Sequence, residues 1–370
     1  MFQNSVKIGR LFGIDLGFTP FWLMIYLFFS LQMAGVISQG GLLSTQISTP
    51  LATGLGFLLI GLLYVSIIAH EYGHSLTARI FGINTKRIIL HVFGGVALLE
   101  GEPKSPKEEF WITIMGPAVS FFLALLFLGF YFLSLITGFE VGQLGFGFLA
   151  TINGFMFVFN LLPGFPMDGG RLVRAGIWAF TGDYLKSTRI AGMGGKLVGY
   201  SIAALGVYRM FFTEIGIFNG VLNVMIGFFI ANLASRVVKE AEFTNIYRNK
   251  TVRDYLRPNI QVLQADATVY EAGSLMRLFM NQEMFPVVHN NKIIGHVSQQ
   301  ILNTVQPHQY HWVHLGEICQ PIETNRIISA DLLAINALEK LSAGKFSSLA
   351  VFEGRKLLGF IYGVDLMNQR

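Results

Sequence analysis

Apolar residues form six long blocks over most of the chain, and charged residues are sparse from Phe21 to Leu233. Each block is close to or above the roughly 20 residues that a helix needs to cross a bilayer. The pattern therefore predicts six membrane-spanning helices. They run from about Pro20 to Ser38, Leu51 to Arg79, Phe110 to Ile136, Leu144 to Leu162, Thr188 to Phe212 and Ile215 to Ser235.

The pattern changes beyond the sixth block. From Arg236 and Lys239 onward, charged and apolar residues are mixed as in ordinary soluble proteins. We place the boundary between Ser235 and Lys250. The expected fold is a polytopic α-helical membrane domain over residues 1–240, followed by a soluble α/β domain.

Composition supports a membrane protein. Charged residues make up 13% of the 370 residues and the mean hydropathy is +0.53, whereas about 25% of residues are charged in soluble domains. The net charge of +5 is concentrated beside the apolar blocks. This distribution favours membrane lipid and argues against nucleic acid as a partner. Cys319 is the single cysteine, which excludes an intrachain disulfide and suits a reduced compartment.

Lys and Arg fall on alternate connections between the predicted spans. They precede the first span, separate the second from the third, surround the fourth-to-fifth connection and follow the sixth. The connections Gln39 to Pro50 and Thr137 to Gln143 contain none. Because connections rich in Lys and Arg stay in the cytoplasm, we expect a multi-pass protein of the cell membrane with both termini cytoplasmic.

The second block ends in His70-Glu71-Tyr72-Gly73-His74. Residues four apart share one face of a helix, so both imidazoles can reach one zinc ion. Glu71 is then placed to take a proton from an attacking water and to pass it to the leaving amine. Two histidines and a glutamate inside an apolar span are costly unless they are paired or bound. The pattern indicates a zinc site with a catalytic base.

A third ligand is expected, because catalytic zinc takes three protein ligands and keeps one position open. Prolines and glycines interrupt the helix between Asn160 and Gly170, which membrane depth permits only where the backbone is buried in protein or lines a wet cavity. Asp168 is the candidate ligand, and Asn160 is a candidate to hydrogen-bond a substrate backbone or an oxyanion. Spacing alone leaves a second interpretation open, in which Asp168 caps the helix that follows.

These two motifs together resemble one known family. The motif from His70 to His74, followed by the run Asn-Leu-Leu-Pro-x-x-Pro-x-Asp-Gly from Asn160 to Gly169, is similar to the site-2 protease family of intramembrane zinc metalloproteases. The resemblance extends from about Val6 to Ser235.

The resemblance implies that His70, His74 and Asp168 bind one Zn²⁺ per chain. It also implies that Glu71 is the catalytic base of an HExxH-type zinc metalloendopeptidase, and that Asn160 faces the substrate. The implied activity is regulated intramembrane proteolysis, in which peptide bonds in or near the transmembrane segments of single-pass membrane proteins are hydrolysed.

The segment from Arg87 to Glu100 is predicted to be β-rich, with Phe93-Gly94-Gly95 at its centre, and resembles the membrane-embedded β-loop of this family. An exposed strand edge can pair with an unwound substrate, so Gly94 and Gly95 are candidate substrate-binding residues. A cytoplasmic hairpin without catalytic purpose is the alternative. We interpret His91 in this segment as an interfacial histidine.

The third block contains Gly116-Pro117-Ala118-Val119-Ser120, which is similar to a glycine-bearing motif of the family. Many members carry Asn at the position of Ser120, so the polar contact of this side chain is left open. Small residues here also permit close helix packing without any catalytic meaning.

The soluble half contains two similar units, Thr251 to Val305 and Leu315 to Asn368. Each has the pattern strand, helix, strand, tight turn, strand, helix. The two units resemble a tandem CBS-domain pair, with repeats at residues 251–305 and 315–370. This module often binds adenine nucleotides in a cleft between its repeats.

The nucleotide-binding run of that family is Gly, two apolar residues, Ser or Thr, two variable residues and Asp. The first repeat keeps Ser298 but has Ile301 at the Asp position, whereas the second keeps Asp365 but has Tyr362 at the hydroxyl position. The resemblance therefore implies at most one good adenine-nucleotide site, with Ser298 and Asp365 as its candidate residues. A structural module that forms a homodimer through the CBS domains is the alternative.

The favoured function is thus an intramembrane zinc endopeptidase, and a membrane transporter or channel regulated by the CBS pair is its rival. The rival explains the spans and the soluble module equally well. Transport, however, predicts paired charges along a pathway rather than a metal-binding triad on the second and fourth spans.

Overall fold

The computed structural model describes residues 5–39, 47–91, 94–212, 217–247, 250–256, 260–279, 282–290, 292–344, 346–354 and 356–367. The chain forms two compact units, Met1–Ala241 and Glu242–Arg370.

Long apolar helices make up most of the first unit. Its described helices are α1 (Pro20–Gln39), α2 (Thr49–Ile80), α3 (Pro106–Thr137), α4 (Glu140–Asn160), α5 (Asp168–Thr181), α6 (Tyr184–Phe212) and α7 (Ile217–Tyr247). All but α5 are long and apolar enough to cross a membrane, which confirms the six-span prediction.

Several helix ends differ from the predicted block ends. The helices α2, α3, α6 and α7 are longer than the apolar blocks that predicted them, because polar residues at a helix end continue the backbone hydrogen bonding without adding hydropathy. The predicted start of the sixth span, Ile215, lies outside the described residues.

The start of α3 shows how local sequence fixes a helix end. Ser105 adopts an extended conformation and its hydroxyl accepts a hydrogen bond from the backbone N–H of Glu108 at 3.3 Å. Pro106 follows at the first helical position, where its missing N–H costs nothing. Gly138, in the left-handed conformation, ends the helix. These features set the two ends of α3 and place Glu109 in its first turn.

A four-stranded sheet lies beside the helices. Its strands are β1 (Val6–Leu11), β2 (Ile14–Phe18), β3 (Thr85–His91) and β4 (Gly94–Leu99), in that spatial order. The pairs β1–β2 and β3–β4 are antiparallel, and β2–β3 is parallel. The β-rich segment predicted from Arg87 to Glu100 is therefore present, with β4 at an edge. Its predicted central residue Phe93 lies outside the described residues.

The second unit contains two sheets of three strands with the same order of elements. The first set is β5 (Leu263–Gln264), α8 (Val269–Leu278), β6 (Phe285–His289), β7 (Lys292–Val297) and α9 (Gln299–Leu302). A short helix α10 (Leu315–Ile318) follows. The second set is β8 (Ile327–Ser329), α11 (Ala334–Gly344), β9 (Ser348–Glu353), β10 (Lys356–Tyr362) and α12 (Gly363–Met367).

In both sets the first strand is parallel to the middle strand, and the middle strand is antiparallel to the third. Phe285 and Phe360 are fully buried in the cores that these sheets cover. The duplicated order is the one predicted from the sequence, and it gives the C-terminal half an α/β fold.

Candidate metal centre

Helix α2 brings two histidines to one buried point. His70 and His74 lie one turn apart, and their side chains are 5% and 8% exposed. Their Nε2 atoms are 3.2 Å apart. Asp168, the first residue of α5, places its Oδ2 atom 3.2 Å from His70 Nε2 and 3.3 Å from His74 Nε2. The structure therefore brings together the three residues that the sequence indicated as ligands.

The three atoms are spaced as zinc ligands should be. A tetrahedral zinc with bonds of about 2.0–2.1 Å has ligand atoms about 3.3 Å apart. The observed separations of 3.2, 3.2 and 3.3 Å match one triangular face of such a tetrahedron. Three protein ligands also leave one position for water or substrate, as catalytic zinc requires.

Hydrogen bonds to the other ring nitrogens support the same conclusion. His74 Nδ1 lies 2.8 Å from the carbonyl oxygen of Ile112. A carbonyl only accepts, so this nitrogen carries the proton and Nε2 of the neutral ring keeps its lone pair. His70 Nδ1 lies 2.8 Å from the Ser120 hydroxyl and adopts the same tautomer when it donates to that oxygen. Two nitrogen lone pairs and a carboxylate oxygen then face each other, an arrangement that a cation between them stabilises.

The contact of Ser120, which the sequence left open, is therefore with His70. Ser120 and Ile112 are both on α3, as is Gly116 between them. A Cβ atom on Gly116 would overlap the imidazoles of His74 and His70. The helix α3 thus provides the wall against which both imidazoles are held.

Glu71 lies beside His70 on α2 and is partly buried. A Cβ atom on Gly95 would come within 2.6 Å of Glu71 Cγ and 3.3 Å of its Cδ. The edge strand β4 therefore passes the Glu71 side chain as closely as a glycine permits. This places a strand edge and a candidate base on the same side of the metal centre.

A buried ion pair joins α3 to α5. Glu109 is fully buried, and its Oε1 accepts hydrogen bonds from Arg174 Nε at 2.9 Å and from Arg174 Nη2. Arg171 Nε lies 3.8 Å from the same oxygen. The Arg174 guanidinium also lies 5.1 Å from the ring centre of Phe165 and 4.7 Å from that of Tyr184. Removing one partner of such a pair costs about 3–5 kcal/mol of folding free energy.

The sequence reasoning above did not find this ion pair. Glu109 stands in the first turn of α3, where an acidic residue is ordinary because it complements the helix dipole. Its spacing from Gly116 and Ser120 places all three on one face of α3, but this spacing does not identify a partner on another helix.

The other predicted site residues occupy varied positions. Asn160 is the last residue of α4 and is partly exposed, and its side chain makes no hydrogen bond to another described residue. Gly94 begins β4 and pairs with His91 of β3. Gly94 is therefore next to Gly95, the residue of β4 that lies against Glu71.

The second unit contains a cavity of about 740 Å³ lined by Arg277, His296, Ser298 and Arg326, among others. The Ser298 hydroxyl also accepts a hydrogen bond from the Ile301 N–H at 3.4 Å and so caps α9. Asp365 is not among the residues that line this cavity. Asp365 lies on the short helix α12 of the second repeat.

His296 is buried in this cavity wall, and its Nδ1 has no hydrogen-bond partner among the described residues. Burial lowers the pKa of the His296 imidazole, because it disfavours the charged form. A neutral imidazole facing the cavity offers a hydrogen bond rather than a charge.

Comparison with known proteins identifies related chains. The model of Peptidase family M50 matches residues 58–143 and 141–197, and the CBS domain model matches residues 252–302. Zinc metalloprotease MJ0392 of Methanocaldococcus jannaschii is 30% identical over 310 residues, which cover 83% of each chain. The Synechocystis sp. protein sll0528 is 29% identical over 357 residues, covering 95% of this chain and 91% of that protein.

Among solved structures, the CBS domains of a transcriptional regulator from Streptococcus pneumoniae align with a TM-score of 0.29 and 19% identity. The alignment covers 33% of this chain and 99% of that one.

The helical membrane domain and its buried cluster of two histidines and an aspartate define a multi-pass membrane zinc metalloprotease. The chain belongs to Peptidase family M50, the site-2 proteases, and carries a CBS domain in its C-terminal half.

Proposed function

We propose that this chain is an HExxH-type intramembrane endopeptidase whose zinc is held by His70, His74 and Asp168. The observation that supports it most directly is the convergence of three acceptor atoms at 3.2–3.3 Å inside the membrane domain. Such an arrangement is stable with a cation and repulsive without one. The rival proposal of a transporter or channel gives no reason for this geometry.

When bound, zinc supplies the Lewis acidity that activates a water and polarises the scissile carbonyl. Glu71 accepts the proton of the attacking water and returns it to the amine nitrogen as the peptide bond breaks. Ser120 and the Ile112 carbonyl hold the two imidazoles in the tautomer that directs Nε2 to the metal. The overall reaction consumes one water molecule for each peptide bond that is cut, and Glu71 is returned to its starting form.

The substrates we propose are single-pass membrane proteins. A peptide bond in a helix is inaccessible, so a substrate must be extended before it is cut. The edge of β4 at Gly94 and Gly95 is suited to pair with such an extended segment, and it passes directly beside Glu71. Asn160, whose side chain is free of hydrogen bonds to described residues, is suited to bind the substrate backbone.

We further propose that an adenine nucleotide binds the CBS module and regulates cleavage. The cavity beside Ser298 is large enough for a nucleotide, and Arg277 and Arg326 supply positive charge for its phosphates. The missing acidic residue at position 301 predicts weak recognition of the ribose. Equilibrium dialysis of AMP and ATP against the full-length protein measures this binding and tests the proposal.

The proposed environment of the protein is membrane lipid. We also propose that the chain forms a homodimer through the CBS pair and that nucleic acid is not a partner.

The decisive experiment compares wild-type protein with Glu71→Gln and His70→Ala. Each purified protein is tested against tagged single-pass membrane substrates, and its zinc content is measured. We expect Glu71→Gln to keep about one zinc per chain and to lose cleavage by about 10²-fold or more, because the base is lost while the ligands remain. His70→Ala is expected to lose both.

Equal cleavage by Glu71→Gln and wild type would remove Glu71 as the base. Absence of both stoichiometric zinc and cleavage in the wild type would overturn the protease proposal and favour the regulated transporter.

A further inference from the structure

One face of α3 contacts both histidines of the metal centre. Gly116 leaves room for both imidazoles, Ser120 hydrogen-bonds His70, and the Ile112 carbonyl hydrogen-bonds His74. Glu109 lies on the same face, about two turns before Gly116. It makes no contact with the histidines; its partner is Arg174 on α5, the helix that begins with Asp168.

We propose that Glu109 is a positioning residue for the metal centre. Through Arg174 it fixes α5 against α3, and so holds the Asp168 carboxylate at the distance from His70 and His74 that one metal ion requires. This inference rests on the proposed role of these three residues as ligands.

The connection into Asp168 explains why such a fixed point is needed. Residues 161–167 form no helix or strand and lead from α4 into α5. Asp168 is therefore the first residue of α5, whereas both histidines lie inside the 32-residue helix α2, with at least one further turn on either side. Arg174 contacts Glu109 on one side and the Phe165 ring on the other, so one guanidinium joins α3 to both the connection and α5.

The ion pair is not arranged for stability alone. Glu109 Oε2 is buried and has no hydrogen-bond partner among the described residues. Buried ion pairs contribute little net stability even when every oxygen is satisfied. A pair with one oxygen unsatisfied is better explained by the geometry that it enforces between α3 and α5.

The chain offers a matched control for Glu109. Glu108 lies next to it in the first turn of α3, carries the same charge, and accepts a hydrogen bond from the Lys104 backbone N–H at 2.8 Å. The conservative substitution Glu108→Gln therefore removes the same charge from the same turn without touching α5.

The test is a zinc-affinity cycle on full-length protein in detergent, measured by competition with a chelator at a temperature where every variant is folded. Glu109→Gln and Glu108→Gln are each made in the wild-type and Asp168→Asn backgrounds. In the wild-type background we expect Glu109→Gln to weaken zinc binding about tenfold, the lower end of the effect of losing a group that orients a metal ligand, because Glu109 acts on Asp168 only through Arg174. In the Asp168→Asn background its effect should fall below about twofold, because it acts through Asp168. Glu108→Gln should be near neutral in both.

Unchanged zinc affinity in Glu109→Gln, or an equal loss in both backgrounds, would overturn the inference, since a general loss of packing does not depend on Asp168. If Glu109→Gln does not fold, Arg174→Lys takes its place in the same cycle, because it keeps the charge but not the paired contact. A wild-type protein without zinc would instead overturn the proposed function, and this inference with it.

Discussion

Gly116 is the residue at which α3 approaches the two ligand histidines most closely. Its backbone is helical, so alanine would by itself favour the helix by about 0.5–1 kcal/mol. A methyl group there would nevertheless overlap the imidazoles of His74 and His70. We expect Gly116→Ala to weaken zinc binding by about 10- to 100-fold, because the ligands must rotate or the helix must move away. Zinc content and chelator competition measure this loss.

Gly129→Ala is the matched control for that prediction. Gly129 is on the same helix, and a Cβ atom there would meet nothing within 4 Å. It should bind zinc like the wild type. Normal zinc binding by Gly116→Ala would show that α3 does not confine the imidazoles.

At the scale of the residue, the sequence predicted the geometry of the site wherever the residues concerned lie close together in one helix. His70, Glu71 and His74 are fixed relative to one another by one helix, so their spacing predicts the geometry directly. The hydrogen bond of Ser120 and the ion pair of Glu109 join separate helices. No periodicity within a single segment encodes such a pairing, which is why the sequence left the first open and did not reveal the second.

At the scale of the element, the six apolar helices were predictable because a bilayer imposes a minimum length on any span. The strands β1 and β2 were not. β1 is mostly exposed and is held by pairing with β2, which in turn pairs in parallel with β3 from a distant part of the chain. Such strands form because a neighbour supplies hydrogen bonds. Each is only five or six residues long, and neither segment shows by itself which distant strand it pairs with.

The strand β4 provides a prediction at this scale. Gly95 has no left-handed backbone conformation, so alanine is compatible with the strand, but its Cβ atom would press on Glu71 Cγ. We expect Gly95→Ala to keep its zinc and to cleave about 10²-fold more slowly, since a shift of about 1 Å in a catalytic group has that effect. Gly101→Ala, just beyond the strand and facing open space, is the control. Loss of zinc in Gly95→Ala would mean that β4 supports the ligands rather than the base.

At the scale of the whole molecule, the change in composition near Ser235 indicated two parts, and the structure divides into compact units between Ala241 and Glu242. The first unit buries its polar chemistry among apolar helices, whereas the second resembles a soluble protein, with three small clusters of buried residues in its described part. The positive-inside pattern adds a prediction to this division, namely that the second unit lies on the cytoplasmic side of the membrane.

The single cysteine of the chain allows this orientation to be tested without adding a label to the second unit. Cys319 is partly exposed in the soluble unit. We expect a membrane-impermeant maleimide to modify it in inside-out vesicles and not in intact cells, because a cytoplasmic thiol is protected by the membrane. Phe139, 54% exposed between α3 and α4, lies in a predicted external connection. Phe139→Cys in a Cys319→Ser background should therefore react in intact cells. As a control, the same reagent is applied to detergent-solubilised protein, in which each thiol should react. Modification of Cys319 in intact cells would contradict the predicted orientation.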